Sequence, residues 1–377
     1  SALPGGVDPA AQSALSERLE RAFAPSPVFD YNGTDISGIL RVKMQAAFKG
    51  HLVRMNAWGR QVGGLARRHG VRLMISSHGT GIWHVAAELS RKIGIPSLFV
   101  SHGTHPAPVS RLHELSIFNM CRGFMLGDFT HIAVSTPVQE AHLRYFKKRH
   151  PWIKNEEIKT GPIIFARINA GDREKARAAL GFRQGDFVVV HAASLKWKGS
   201  ERPYFLETPD EYISGLVDVV EAVNRLKDVR LIIRLHPGFD FMMKDIRAAL
   251  PESGKYILSI EGAFKDVLAA SDMLISYSST TIDEALINKI PVLLYDKWAR
   301  YNHFGTGVYQ YPTSPDIFPV CYVSGREKLS SALEFMIKKT KETPAEQIDV
   351  SRYRYKEDCI EILYAFTKEG LAKEHSI

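Results

Sequence analysis

Ser276-Tyr-Ser-Ser-Thr-Thr-Ile-Asp-Glu-Ala-Leu286, followed closely by Ile290-Pro-Val-Leu-Leu-Tyr-Asp296, decides the fold. The apolar run Met273–Ser276 predicts a short strand and the small hydroxylated residues a turn. Thr281–Asn288 then predicts a helix and Val292–Tyr295 a second strand. Such a turn offers hydroxyls and backbone N–H groups at a helix start, where the N–H groups lack intrahelical partners and the helix dipole favours negative charge. A phosphate or diphosphate suits it; an ordinary Ser/Thr N-cap in an α/β sheet is the alternative.

Outward from this unit the chain alternates. In the first half, strands are expected at Val71–Ile75, Pro96–Val100 and Thr130–Val134, with helices at Ile36–Arg68, His84–Ile93 and Pro137–Arg149 and a last apolar segment at Ile158–Ile164. A second cycle has strands at Asp186–His191, Val229–Arg234 and Tyr256–Ile260, with helices at Glu174–Leu180, Asp210–Leu226, Met243–Leu250, Phe264–Ala270 and Leu329–Lys341. Residues 1–25 read as a short helix, and a helical tail from Val350 to about Lys373 is expected to pack back on the first half. Alternation of this kind means βαβ units and parallel sheets. At 377 residues the chain exceeds a typical single core. The expected division is an acceptor-binding Rossmann-like domain over 1–166, a donor-binding one over 167–345, and a tail over 346–377. No GxGxxG fingerprint is present, which argues against a dinucleotide enzyme.

Composition is ordinary for a globular protein, and no apolar run approaches the roughly 20 residues that span a bilayer. No signal peptide opens the chain, and its first residue is Ser1, as in a piece of something longer. Cys121, Cys321 and Cys359 lie far apart without CxxC spacing, which suits a reducing compartment and argues against a zinc site. The net charge of +8 favours anionic partners. Its densest groups, Arg67-Arg-His69 and Lys147-Lys-Arg-His150, read as solvated helix ends. No RRM, KH or zinc-finger pattern supports nucleic-acid binding. Loose contact with an anionic inner leaflet is the membrane expectation.

Four segments follow predicted strands, where open α/β sheets bind ligands: Ser76–Thr80, Ser101–Pro106, Leu235–Gly238 and Ser276–Thr281. His236, in a turn fixed by Pro237, can donate to a phosphate leaving group or simply cap its strand. Arg234 is a charge partner or a structural ion. Ser278, Ser279 and Thr280 offer hydroxyls to the phosphate. Asp283 and Glu284 can take ribose hydroxyls or complement the helix dipole. Lys196 and Lys198, flanking Trp197, form a loop able to grip a diphosphate or to lie solvated. On the acceptor side, His102 and His105 are the candidate bases, with Gly103 permitting close backbone approach and Thr104 beside it. His78 repeats the His-Gly-Thr pattern, and Glu114 and Asp128 are carboxylate alternatives to the histidines.

Arg234-Leu-His-Pro237, Ser276-Tyr-Ser-Ser279, Asp283 and Pro291-Val-Leu-Leu-Tyr-Asp296 together resemble the second domain of CDP-glycerol glycerophosphotransferases of teichoic-acid synthesis. His102-Gly-Thr104 is similar to the His-Gly-Thr-Pro motif of their first domain, whose histidine is the proposed base. This chain places His105 before Pro106, so both histidines stand as candidates. The His-Pro and Ser-Ser pair is also similar to that of CMP-sugar-dependent sialyl and Kdo transferases, in which it binds the departing nucleotide phosphate. UDP-GlcNAc 2-epimerases share the fold and a His-Pro, but their acidic first-domain motifs are not visible here. The resemblance implies an α/β GT-B fold of two Rossmann-like domains facing an interdomain cleft. It also implies an inverting glycosyltransferase without metal or cofactor (no Asp-x-Asp motif is apparent), working on a nucleotide-activated donor and a glycan or lipid-linked acceptor at the inner membrane face. Glycerophosphate transfer and sugar-nucleotide epimerisation are the alternatives.

Overall fold

The strand before the quoted turn lies inside a six-stranded parallel sheet. In the computed structural model, residues 13–14, 17–18, 20–21, 30–79, 81–101, 103–104, 108, 111, 114, 128–161, 163, 167–192, 208–236, 243–300, 302–305, 309–310, 317–355 and 360–372 are described. A hairpin of β1 (Asp30–Tyr31) and β2 (Thr34–Asp35) opens them. Its turn residues Asn32 and Gly33 both have positive φ, as a tight two-residue hairpin turn requires. The 33-residue helix α1 (Ser37–His69) follows and ends at Gly70, which adopts the left-handed conformation and returns its N–H to Ala66 and Arg67.

Next come β3 (Met74–Ser76), α2 (Ile82–Lys92), β4 (Ser97–Val100), β5 (His131–Val134), α3 (Pro137–Arg149) and β6 (Glu156–Lys159), with sheet order β3-β4-β5-β6. Helix α3 starts as its sequence suggests, with Thr136 accepting from the N–H of Gln139 and Pro137 in the first position.

The second cycle comprises α4 (Ala170–Ala179), β7 (Phe187–His191), α5 (Pro209–Asn224), β8 (Val229–Arg234), α6 (Met243–Ala249), β9 (Tyr256–Ser259) and α7 (Phe264–Ala270). It continues with β10 (Met273–Ser276), α8 (Thr281–Ile287), β11 (Val292–Asp296), β12 (Val320–Ser324) and α9 (Arg326–Glu342); α10 (Ile360–Ala372) closes the chain. The strand order is β12-β11-β10-β7-β8-β9, every neighbour pair being parallel. The sheet grows outward from β7 in one direction and then from β10 in the other, so the order reverses between them. That is the doubly wound Rossmann pattern.

Alternate residues of each strand feed two cores. Phe187 and Val189 pack with α5 and α9 residues such as Leu216, Val220, Leu333 and Met336. Val188 and Val190 pack on the other face with Val267, Leu268, Ile282 and Leu286. Burial on both faces explains the apolar runs Phe187–Val190 of β7, Leu231–Ile233 of β8, Met273–Ile275 of β10 and Val292–Tyr295 of β11. Each fully buried Val, Leu or Ile there contributes roughly 1.5–3 kcal/mol.

Two compact units emerge. One comprises Ser1–Phe99, Gly127–His131 and Thr367–Ile377, the other Val100–Leu126 and Ile132–Phe366. Among the described residues no helix is long and apolar enough to cross a membrane.

Candidate functional site

The site is built where the order of the six-stranded sheet reverses, at the carboxyl ends of β7 and β10. Parallel pairing extends one residue past β7, Ala192 N–H donating to Ile275 O at 3.0 Å. The Ala192 carbonyl then accepts from Ser276 Oγ at 2.7 Å and from Thr281 Oγ1 at 3.2 Å. Two of the turn's hydroxyls are thus spent on its own architecture. Ser278 is buried, and Ser279 Oγ accepts from the N–H of Thr281 at 3.3 Å.

The first turn of α8 carries two unlike carboxylates. Glu284 is partly buried, and desolvation raises its pKa. Asp283 is only 4% exposed, and burial pushes it up to about 6, against the lowering effect of its Thr104 hydrogen bonds. Its Oδ2 accepts from the Thr104 N–H at 2.9 Å. Thr104 belongs to the loop that leaves β4, in which Ser101 Oγ donates to Gly103 O at 2.7 Å. Gly103 lies so close to α8 that a Cβ there would stand 2.5 Å from Thr280 Cγ2. The close approach expected at this glycine is thus made to the Ser-Ser turn itself.

Arg234 ends β8 with its guanidinium inside the protein. It donates to Ser259 Oγ at 3.0 Å, to Gly262 O at 2.5 Å and to Glu261 O. It ties the end of β8 to the loop after β9. His236, two residues on, is exposed. His102, His105, Lys196, Lys198 and Pro237 lie outside the described residues.

The remaining acceptor-side candidates have partners of their own. Glu114 accepts from Arg111 at 2.9 Å, Arg149 at 2.5 Å and Tyr145 at 3.2 Å. Burial raises its pKa, but the two arginines outweigh that and hold it below the usual value. In the other unit, Asp128 pairs with His84 Nε2 at 3.1 Å, and His78 Nδ1 lies 3.1 Å from Ser77 Oγ.

Sequence reasoning passed over His191. It ends β7, is 7% exposed, has no hydrogen-bond partner at Nδ1, and burial lowers its pKa to about 4. It lines a pocket with Tyr212, Tyr277, Asp296, Lys297 and Trp298. The cations here are already engaged: Lys297 Nζ lies 2.7 Å from buried Asp218, and Arg300 pairs with Glu211. Only the histidine's place at the end of an apolar strand could have signalled it. Among the described residues no group of three or more His, Cys, Asp or Glu is placed to hold a metal ion.

No protein-family model matches the chain, and no curated protein sequence matches it. Solved structures do. The UDP-GlcNAc 2-epimerase of Neisseria meningitidis, bound to UDP-GlcNAc, is similar over 84% of this chain and 82% of its own, at 12% identity and TM-score 0.54. The S. aureus protein MnaA, solved with UDP, is similar over 84% and 80%, at 11% identity and TM-score 0.51. The wall teichoic acid polymerase TagF is also matched, over 80% and 74% at 16% identity, with TM-score 0.48. With the doubly wound sheet, the first two likenesses define the class of fold. The chain has the two-domain, Rossmann-like GT-B fold.

Proposed function

We propose that the chain is a GT-B glycosyltransferase acting on a nucleotide-activated donor. The observation that carries this reading is the Ser276–Thr281 turn, pinned to the end of β7 where the sheet order reverses, with the hydroxylated residues Ser278, Ser279 and Thr280 between its two pinned ends. Doubly wound sheets bind nucleotides at that point. Fixed hydroxyls there suit a diphosphate or monophosphate leaving group, and His236 at the exit of β8 can supply a proton or hydrogen bond to it. Beside the turn, the His191 pocket has a neutral imidazole and cations that are already paired. Such a lining fits hydroxyls of the transferred group better than further phosphate.

In the proposed reaction an acceptor hydroxyl attacks the anomeric carbon, and the bond from that carbon to the phosphate oxygen breaks. The acceptor proton passes to His102 or His105, and the electron pair leaves with the nucleotide. Inversion follows from the single displacement, and no metal takes part in this scheme. The acceptor is a bacterial surface polysaccharide or lipid-linked glycan, which would bring the basic chain to the cytoplasmic membrane face. Incubating the protein with CMP-, UDP- and other nucleotide sugars and with CDP-glycerol, with and without acceptor, tests the reading. Transfer of a sugar only when acceptor is present supports it. Transfer of glycerophosphate would reassign it to phospho-alditol transfer.

A second reading is favoured by the fold likeness to UDP-GlcNAc 2-epimerases. It predicts conversion of a UDP-sugar with no acceptor present, which a proton NMR time course would record.

A further inference from the structure

Asp283 spends its carboxylate on the protein. Taking that group out of water is costly, and the cost is only partly offset here by the Thr104 N–H, a backbone donor that burial would otherwise leave unpaired. The hydrogen bond joins segments 179 residues apart. Two further contacts hold the same loop. Thr104 Oγ1 lies 3.0 Å from the hydroxyl of Thr136, the N-cap of α3, and Gly103 meets Thr280 in a contact that leaves no room for a side chain at 103.

We propose that Asp283 is a positioning residue that holds the Ser101–Thr104 loop in one register against the Ser276–Thr281 turn. Resting on the transferase reading above, this sets the spacing between the loop with the candidate base His102 and the turn that takes the leaving phosphate. Asp283 touches no reacting atom. It acts through the backbone of Thr104, and Glu284 is left as the first-turn carboxylate able to face a ligand.

Three variants test the assignment: Asp283→Ala, Asp283→Asn and Gly103→Ala. Each is measured for affinity toward UDP and CDP, for kcat and KM with whichever activated donor the wild type uses, and for deuterium uptake at the backbone around Thr104. Asp283→Ala is expected to raise uptake at Thr104 and to lower kcat about 100-fold, the scale of a small misplacement of a reacting group. KM and nucleotide affinity should stay within about threefold. Asn keeps an acceptor oxygen and should recover most of the lost kcat. Gly103→Ala should lose kcat similarly with Asp283 intact. Weakened nucleotide binding in Asp283→Ala would overturn the proposal, because the carboxylate would then be a ligand contact. Unchanged uptake at Thr104, or an Asn variant no better than Ala, would overturn it too. Should the wild type bind no nucleotide, the transferase reading falls, while deuterium uptake still decides whether Asp283 holds the loop.

Discussion

Ser276 Oγ donates to the Ala192 carbonyl at 2.7 Å and so joins the end of β10 to the end of β7, the two strands between which the sheet order reverses. Thr281 Oγ1 reaches the same oxygen from the first residue of α8. One buried acceptor therefore fixes the turn at both of its ends.

The shared acceptor makes the two donors non-additive. Ser276→Ala should cost about 1 kcal/mol, since Thr281 still satisfies the carbonyl. Ser276→Ala with Thr281→Val should cost about 1 kcal/mol more than the two single changes summed, because the buried oxygen is then orphaned. Urea unfolding of the four proteins measures this, and strict additivity would show that the bonds are not coupled.

Arg234 is expected to matter for stability more than for ligand affinity. Arg234→Met removes bonds to the carbonyls of Glu261 and Gly262 and to Ser259, and should destabilise the protein by about 3 kcal/mol. Arg234→Lys should rescue little, because an ammonium cannot span the two carbonyls as a planar fork does. Thermal unfolding and nucleotide titration of the folded variants separate the two effects.

His191 and Asp283 impose opposite pH dependences. The folded pKa of His191 lies near 4, below its ordinary 6.5, so its contribution to stability is present above pH 6.5 and is lost as pH falls toward 4. The loss approaches about 3 kcal/mol, and His191→Gln should remove that part of the acid slope. The folded pKa of Asp283 lies near 6, above its ordinary 3.8, so its contribution is present below pH 3.8 and is lost as pH rises through 6. Asp283→Asn should therefore be more stable than wild type at pH 8, by up to about 3 kcal/mol, with the gap closing in acid. Unfolding free energies measured from pH 4 to 8 test both signs.

The second sheet is legible because strands buried on both faces are mostly apolar, and the expected bounds of β8 and β10 coincide with the strands formed. The strand expected at 71–75 forms at Met74–Ser76 instead, where pairing with β4 begins at Met74. β12 escaped the reading. Val320-Cys-Tyr-Val-Ser324 is short and mixed in character, and it becomes a strand by pairing along β11. The Asn32-Gly33 hairpin was also passed over, since its strands are only two residues each. Within the site, the Ser-Ser turn and the glycine of the His-Gly-Thr loop were visible as local chemistry. The Asp283–Thr104 bond was not, because only the tertiary fold brings those residues together, and local spacing carries no trace of it.

In the proposed transferase the turn between β10 and α8 holds a nucleotide's phosphate. A thermal-shift panel of CMP, CDP, UDP, GDP and TDP on wild type and on Ser278→Ala/Ser279→Ala tests it most directly. At a hundredfold excess over Kd, the right nucleotide should stabilise the wild type by about 2.7 kcal/mol, a rise of several degrees in Tm, and the double variant should lose most of that shift. No shift with any of the five, or an equal shift in the double variant, would contradict the claim.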